Sequence, residues 1–211
     1  SFNPDIHPIH PVIPNYLSTS MRWIVSKTSE NKESQFDTLY ISKESVVNGK
    51  TYKVINNVLL RQEEYKIYYY NPGMSGYANQ EYPIYDFNTK IGDSIVTIGK
   101  DQQLSWITVN KIETIMLLNG WAAQRITYSD NSVNIEFVGD SKTGILAHLI
   151  ADEREYNLFQ VYNGNVLLYE NEGINFSHLQ NQQTSSFLSK QIVNGQLFIL
   201  RNGRLYDVLG R

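Results

Sequence analysis

The sequence contains no cysteine. That excludes a disulfide framework, a thiolate zinc site and a thiol nucleophile, and leaves the redox compartment open. No apolar run approaches the roughly 18 residues that a membrane-spanning helix requires, and stretches such as Ile115–Leu118 are strand-sized. No window of about a dozen residues carries a helical apolar stripe. A basic stripe is missing too: 18 Lys and Arg against 21 Asp and Glu leave a net charge of −3, which disfavours nucleic acid as a partner. A Gly-x-Ser-x-Gly elbow, a His-Glu-x-x-His pair, a phosphate loop and a Gly-rich dinucleotide turn are all absent. No cofactor is called for. The chain starts at Ser1 without Met or leader, so the expectation is a secreted or cell-surface protein whose signal peptide has been removed.

What the chain does hold is β-formers punctuated by turns. From Asp37 to Leu60, two runs rich in Tyr, Val, Ile and Thr flank Asn48-Gly49, a dipeptide that tolerates positive φ at both central positions of a type I′ turn. A two-residue loop places Val47 opposite Lys50, Ser45 opposite Tyr52, Lys43 opposite Val54 and Ile41 opposite Asn56. Ile41, Val47, Tyr52 and Val54 then look inward, while Glu44 and Lys53 form an opposite-charge pair facing water. Further Asn-Gly turns begin at 119, 163, 194 and 202, with no fixed period, so a propeller or solenoid is disfavoured. About Asn119-Gly120, Met116 should meet Ala123 and Thr114 should meet Arg125. About Asn163-Gly164, Val161 should face Val166 and Phe159 should face Leu168, with apolar residues on both faces and hence a central, covered position.

The fold class expected is all-β, an antiparallel meander closed as a barrel or two-sheet sandwich, with a small C-terminal β-meander. Ile41, Tyr52, Val54, Ile67, Phe87, Ile95, Ile112, Phe159, Val161, Val166 and Leu168 should form its core. Prolines at positions 4, 8, 11 and 14 make residues 1–15 an extended arm. The body runs over 16–176, the polar stretch 177–188 has linker composition, and 189–211 reads as a three-stranded tail. In the tail, Leu200 opposes Leu205, Ile199 opposes Tyr206, Leu197 opposes Val208 and Ile192 opposes Leu197, so both faces are apolar. Such a unit should dock on the body, on a neighbouring chain or on export machinery.

Candidate chemistry is sparse. His7 and His10 share a side of a polyproline helix near Asp5, but no third ligand is near and no metal site is assigned. Glu63-Glu64 at a bend, the isolated His148 and His178, and the self-compensating Ala151–Glu155 cluster read as solvated residues. The better candidates are aromatic. Tyr65, Tyr68, Tyr70, Tyr77, Tyr82 and Tyr85 crowd one third of the chain, with Trp106 and Trp121 beyond. Rings carrying hydroxyls suit glycans or a protein partner, while sheet packing alone also explains a single tyrosine. At the Asn202-Gly203 turn, Arg201 lies opposite Arg204, which suits an anion or acidic surface if it is not simply a solvated tip.

From Asp37 onward the order DTLYI, VNGKTYKV, LLRQEEYKIYYY, YPIYDFNTKIGDSI resembles the body of many secreted proteins of Bacteroidetes. In those proteins a Trp-Glu-Gly-Ile-Gly-like segment follows, and here it would be Asn134–Gly139, without the Trp and the first Gly. The ending QIVNGQLFILRNGRLYDVLGR resembles C-terminal tails of exported proteins in that group, some related to type IX sorting tails. The resemblance implies export and an uncharacterised β body, and it carries over no catalytic residue. The expected function is therefore non-catalytic binding of a protein partner or glycan at the cell surface. A hydrolase acting on polysaccharide or peptide, and a purely structural module, are the alternatives.

Overall fold

The computed structural model describes residues 12–28, 34–73, 79–98, 104–146 and 156–171, together with the strands of a C-terminal segment at 189–193, 196–201 and 204–207. The chain divides into two compact units, Ser1–Asn171 and Glu172–Arg211. Every strand pair described is antiparallel, and among the described residues there is no helix.

The larger sheet of the first unit is a meander of β1 (Met21–Thr28), β2 (Ser34–Val47), β3 (Lys50–Ile55), β4 (Val58–Glu63), β5 (Lys66–Asn71) and β6 (Gln80–Asp86). The chain then builds a second, curled sheet from β7 (Ser94–Ile98), β8 (Leu104–Met116), β9 (Ala122–Tyr128), β10 (Val133–Ile135) and β11 (Gly139–Asp140). It returns as the hairpin β12 (Tyr156–Asn163) and β13 (Val166–Glu170), which adds to the free edge of β1 and gives the order β13-β12-β1-β2-β3-β4-β5-β6.

Period-two alternation explains which side is buried. On β1, Met21, Trp23 and Val25 are buried and Arg22 between them is exposed. Ile41, Ile55, Leu60, Ile67 and Tyr85 continue that buried face across the sheet, and Val109, Ala123, Ile126, Tyr128 and Ile135 meet it from the second sheet. Strands as long as β2 and β8, 14 and 13 residues, cannot stay flat over one core. Each is broken by a register shift, at Ile41/Lys43 and at Val109/Lys111, where one extra residue bends the strand.

The Asn48-Gly49 hairpin forms with both turn residues left-handed, and Val47, Ser45, Lys43 and Glu44 meet Lys50, Tyr52, Val54 and Lys53. The Lys53 ammonium bonds the Glu44 carboxylate across the strands. Other expectations are corrected. Ile41 pairs with Ile55, not Asn56, because Ser42 is the bulge residue and its hydroxyl bonds the Val54 carbonyl at 3.1 Å.

About Asn119-Gly120 the loop has three residues. Leu117 and Trp121 close it, with Gly120 at φ 84, so Met116 meets Ala122 and Glu113 meets Arg125. The later hairpin turns at Gly164-Asn165. Asn163 is still a strand residue opposite Met21, because its side chain takes the Ser20 hydroxyl at 2.5 Å and the Gly164 amide bonds the Ser20 carbonyl. Val161 therefore meets Tyr169, and Val166 is exposed. β13 is a sheet edge, not a central strand. Of the expected core, Ile95 and Ile112 are half-buried and the rest, apart from Val166, are buried.

In the second unit, β14 (Ser189–Val193), β15 (Gln196–Arg201) and β16 (Arg204–Asp207) form a three-stranded sheet in chain order. Ile192 meets Leu197, Leu200 meets Leu205, Ile199 meets Tyr206 and Arg201 meets Arg204, the pairing that the Asn-Gly spacing predicts. Val208, residues 1–11, the stretch 177–188, His148, His178 and Ala151–Glu155 lie outside the described residues.

Candidate functional site

Among the described residues, the singled-out aromatics do not form one open patch. Tyr85 is a core residue stacked on Phe87. Its hydroxyl lies 2.9 and 3.2 Å from the carbonyls of Gly144 and Ile145 and accepts the Asp140 amide, and burial pushes the phenol well up. Tyr82 and Tyr70 are buried, Tyr70 against Tyr52 with ring centroids 5.5 Å apart, and Tyr65 is half-buried against the core. Tyr68 is half-buried as well, and the Arg61 guanidinium sits over its ring at 4.8 Å. Tyr77 and the side chains of Arg201 and Arg204 lie outside the described residues. Trp106 and Trp121 are exposed, but on the second sheet and its hairpin tip, where Trp121 leans on Phe137 at 5.3 Å.

Two buried or half-buried carboxylates are fully committed to structure. On the outer face of the larger sheet, Glu81 accepts Arg61 Nε at 2.7 Å, the Tyr52 hydroxyl at 2.8 Å and the Lys50 ammonium. The bond from Arg61 above all holds its carboxyl at about 2, below the usual 4.5. A depressed folded-state value stabilises the fold above the ordinary carboxylate range, and that contribution is lost as pH falls from 4.5 toward 2. Glu81→Gln is therefore expected to flatten the fall in melting temperature over that window. Parallel wild-type and variant curves would contradict the ion network. Glu63, expected at a bend, bonds Arg61 at 2.9 Å and is otherwise in water.

The second carboxylate belongs to the Asn134–Gly139 segment. Glu136 is fully buried; it accepts the Tyr16 hydroxyl at 2.6 Å and the Gln124 amide at 3.1 Å. Burial and Glu136 together push the Tyr16 phenol far above its usual range. Gln62 fastens the same lead-in segment, accepting the Tyr16 amide at 2.8 Å and donating to the Pro14 carbonyl at 2.6 Å. Tyr16 also packs on Phe87 and Phe137 at 5.0 and 5.3 Å. Tyr16→Phe keeps the ring and removes one donor from the buried Glu136 side chain, an expected loss of about 1–3 kcal/mol in urea unfolding. The loss should shrink in a Glu136→Gln background, because the two groups are coupled. Equal losses in both backgrounds would show that the bond carries nothing.

A cleft of about 340 Å³ is lined by Asn15, Leu17, Glu44, Thr51, Lys53, Arg61 and Gln62, and its polar groups are already engaged: Lys53 with Glu44, Arg61 with Glu81, and Gln62 with the lead-in segment.

The open polar surface lies elsewhere, across β12, β1 and β2. Arg22 pairs directly with Tyr162 on one side and with Tyr40 on the other. Residues directly opposite point to the same side of a sheet, so Tyr162, Arg22 and Tyr40 form one cross-strand row on the outer face. Tyr40 is 54% exposed, Arg22 is exposed and Tyr162 is half-buried. The Arg22 guanidinium donates to the Gly164 carbonyl. Beside this row runs a second one of Gln160, Ile24 and Thr38. The Gln160 amide ties the Tyr162 hydroxyl at 3.0 Å to Glu170, also at 3.0 Å.

Sequence reasoning missed this row because one of its two pairings, Arg22 with Tyr162, joins residues more than a hundred positions apart. The available signal was the MRWIV alternation, which turns Arg22 outward opposite Trp23. No family model, curated protein or solved structure matches the chain.

Proposed function

We propose that the chain is an exported, non-catalytic module that binds glycans on the outer face of its larger sheet, with Tyr40 and Tyr162 as the rings that meet sugar. The observation that carries this reading is the Tyr162–Arg22–Tyr40 row on an open sheet face. Strands lie about 4.8 Å apart, so the two tyrosines are held about 10 Å apart by the sheet itself. Little ordering is needed on binding, which favours a flat, extended ligand. A pyranose presents C–H groups to a ring and hydroxyls to neighbouring amides, and the adjoining Gln160 and Thr38 supply those partners. The resemblance to exported proteins supports the location. Commitment of Glu81 and Glu136 to internal bonds supports binding over hydrolysis.

The test is an oligosaccharide array probed with the wild type and with Tyr40→Ala and Tyr162→Ala. At least one class of glycan should bind, with retention reduced about tenfold or more by Tyr40→Ala. No retained glycan, or retention indifferent to both substitutions, sinks the reading.

A second reading rests on a separate observation. Met116, Leu118 and Trp121 are exposed around the β8–β9 tip, an apolar surface of the composition found at protein interfaces. A protein partner there would be lost on Leu118→Ser while the glycan signal stayed unchanged.

A further inference from the structure

Resting on the glycan reading above, we infer that the sugar recognised is anionic, with a carboxylate or sulfate seated on Arg22 between Tyr40 and Tyr162. Arg22 differs from the bonded cations elsewhere on this sheet. Lys50 and Arg61 sit on Glu81, Lys53 on Glu44, and Lys66 on Asp86 at 3.0 Å. Among the described residues Arg22 has no carboxylate partner; its one bond, to the Gly164 carbonyl, orients the guanidinium without neutralising it. An exposed, oriented guanidinium keeps further donors in a planar fork that matches a carboxylate or sulfate.

The neighbours agree with this assignment. On the same face, past the Ser42 bulge of β2, Lys43 is exposed opposite Val54 and likewise has no carboxylate partner among the described residues. An acidic side chain of this face, Glu170, pairs with Gln160 two residues along β12 from Tyr162, and its Oε1 is occupied by the Gln160 amide at 3.0 Å. The ligand's charge is thus directed to Arg22 and Lys43 and away from Glu170. The whole chain carries a net charge of −3, so it attracts polyanions only where a local site is built.

Two matched pairs of probes separate charge from sugar: hexagalacturonate against its methyl ester, and dextran sulfate against dextran. Affinities are measured by calorimetry at low and at physiological salt for the wild type, Arg22→Gln, Tyr40→Ala and Lys111→Gln. Lys111 lies on the second sheet and serves as a control for general charge. The wild type should bind one anionic member about tenfold or more tightly than its neutral twin, and the preference should shrink as salt screens it. Arg22→Gln should erase the preference, Tyr40→Ala should weaken both members, and Lys111→Gln should change neither. The pair that shows the preference distinguishes carboxylate from sulfate.

Equal binding of both members, or a preference that survives Arg22→Gln, overturns the anion assignment while leaving glycan binding standing. Binding to none of the four probes also overturns it, and the array then decides the broader reading alone. Unchanged melting temperatures confirm that these exposed substitutions leave the fold intact.

Discussion

Gly139→Ala is expected to destabilise the first unit by about 2–5 kcal/mol, one of the two largest effects in this molecule. Gly139 is left-handed at φ 91, where an L side chain costs about 1–2 kcal/mol. A Cβ there would also stand 2.8 Å from the Gly144 carbonyl oxygen and 2.9 Å from the Ile145 Cα. Both are backbone atoms that cannot swing aside, which adds an overpacking cost of about 1–3 kcal/mol. For a chain of this size each kcal/mol moves the melting temperature by roughly 2–4 °C, so a drop of about 5–20 °C is expected. Gly49→Ala is the matched comparison: also left-handed, at φ 77, but with open space around the new methyl. Its loss should be near the conformational cost alone. Equal melting shifts for the two variants would show that Gly139 does not press on Gly144.

Trp23→Ala should be at least as damaging. Trp23 has no exposed surface, sits on the central β1, and donates its indole N–H to the Val138 carbonyl at 3.0 Å. Truncating a buried tryptophan costs about 3–5 kcal/mol through lost contacts and the cavity left behind. Here the Val138 carbonyl also loses its donor, a further loss of about 1 kcal/mol or more. Domains of this kind are held by about 5–15 kcal/mol in all, so the variant should populate unfolded chains under mild denaturant. Trp23→Phe separates the two contributions: it keeps most of the volume and should lose only part of the total. Urea midpoints of the three proteins measure both, and an alanine variant as stable as the phenylalanine one would contradict the packing.

The parts of this architecture that the sequence reveals are those fixed within one hairpin. Asn48-Gly49 with Glu44 and Lys53 announces a turn and a register, and the structure follows both up to Ser42. The faces differ, since the bulge leaves Ile41 on the core side while Tyr52 and Val54 lie on the opposite face with Glu81. The register departs at Ser42 because a bulge answers the curvature of a 14-residue strand, a demand set by the core and not by neighbouring residues. The Asn56-Asn57 turn, left-handed at both residues, went unread although asparagine is the residue next most tolerant of that geometry after glycine. The Gly164-Asn165 turn moved because Ser20, distant in sequence but at the start of the neighbouring β1, holds Asn163 in the strand. For the tyrosines, alternation tells which residues share a face but not whether that face is covered. Tyr85 is covered by the Asp140–Ile145 segment and Tyr70 by its neighbours, so the crowded stretch is largely interior while Tyr40, alone in its run, is on the surface.

The return of β12 to the free side of β1 also dictates an order of events when the protein is made. β1 through β6 can pair as they emerge, each hairpin closing on the one before it. The other side of β1 stays open until Tyr156–Asn163 has been synthesised, after the whole second sheet. Until then Trp23 and Val25 lie beside a row of unbonded amides and carbonyls, a template for any passing strand. Pairing across so long a stretch of chain is slow, because the intervening segment must be ordered before the contact rewards it. A chain halted before residue 156, or one that crosses a membrane in stages, passes through a state with an adhesive edge. The β12–β13 hairpin is what seals it.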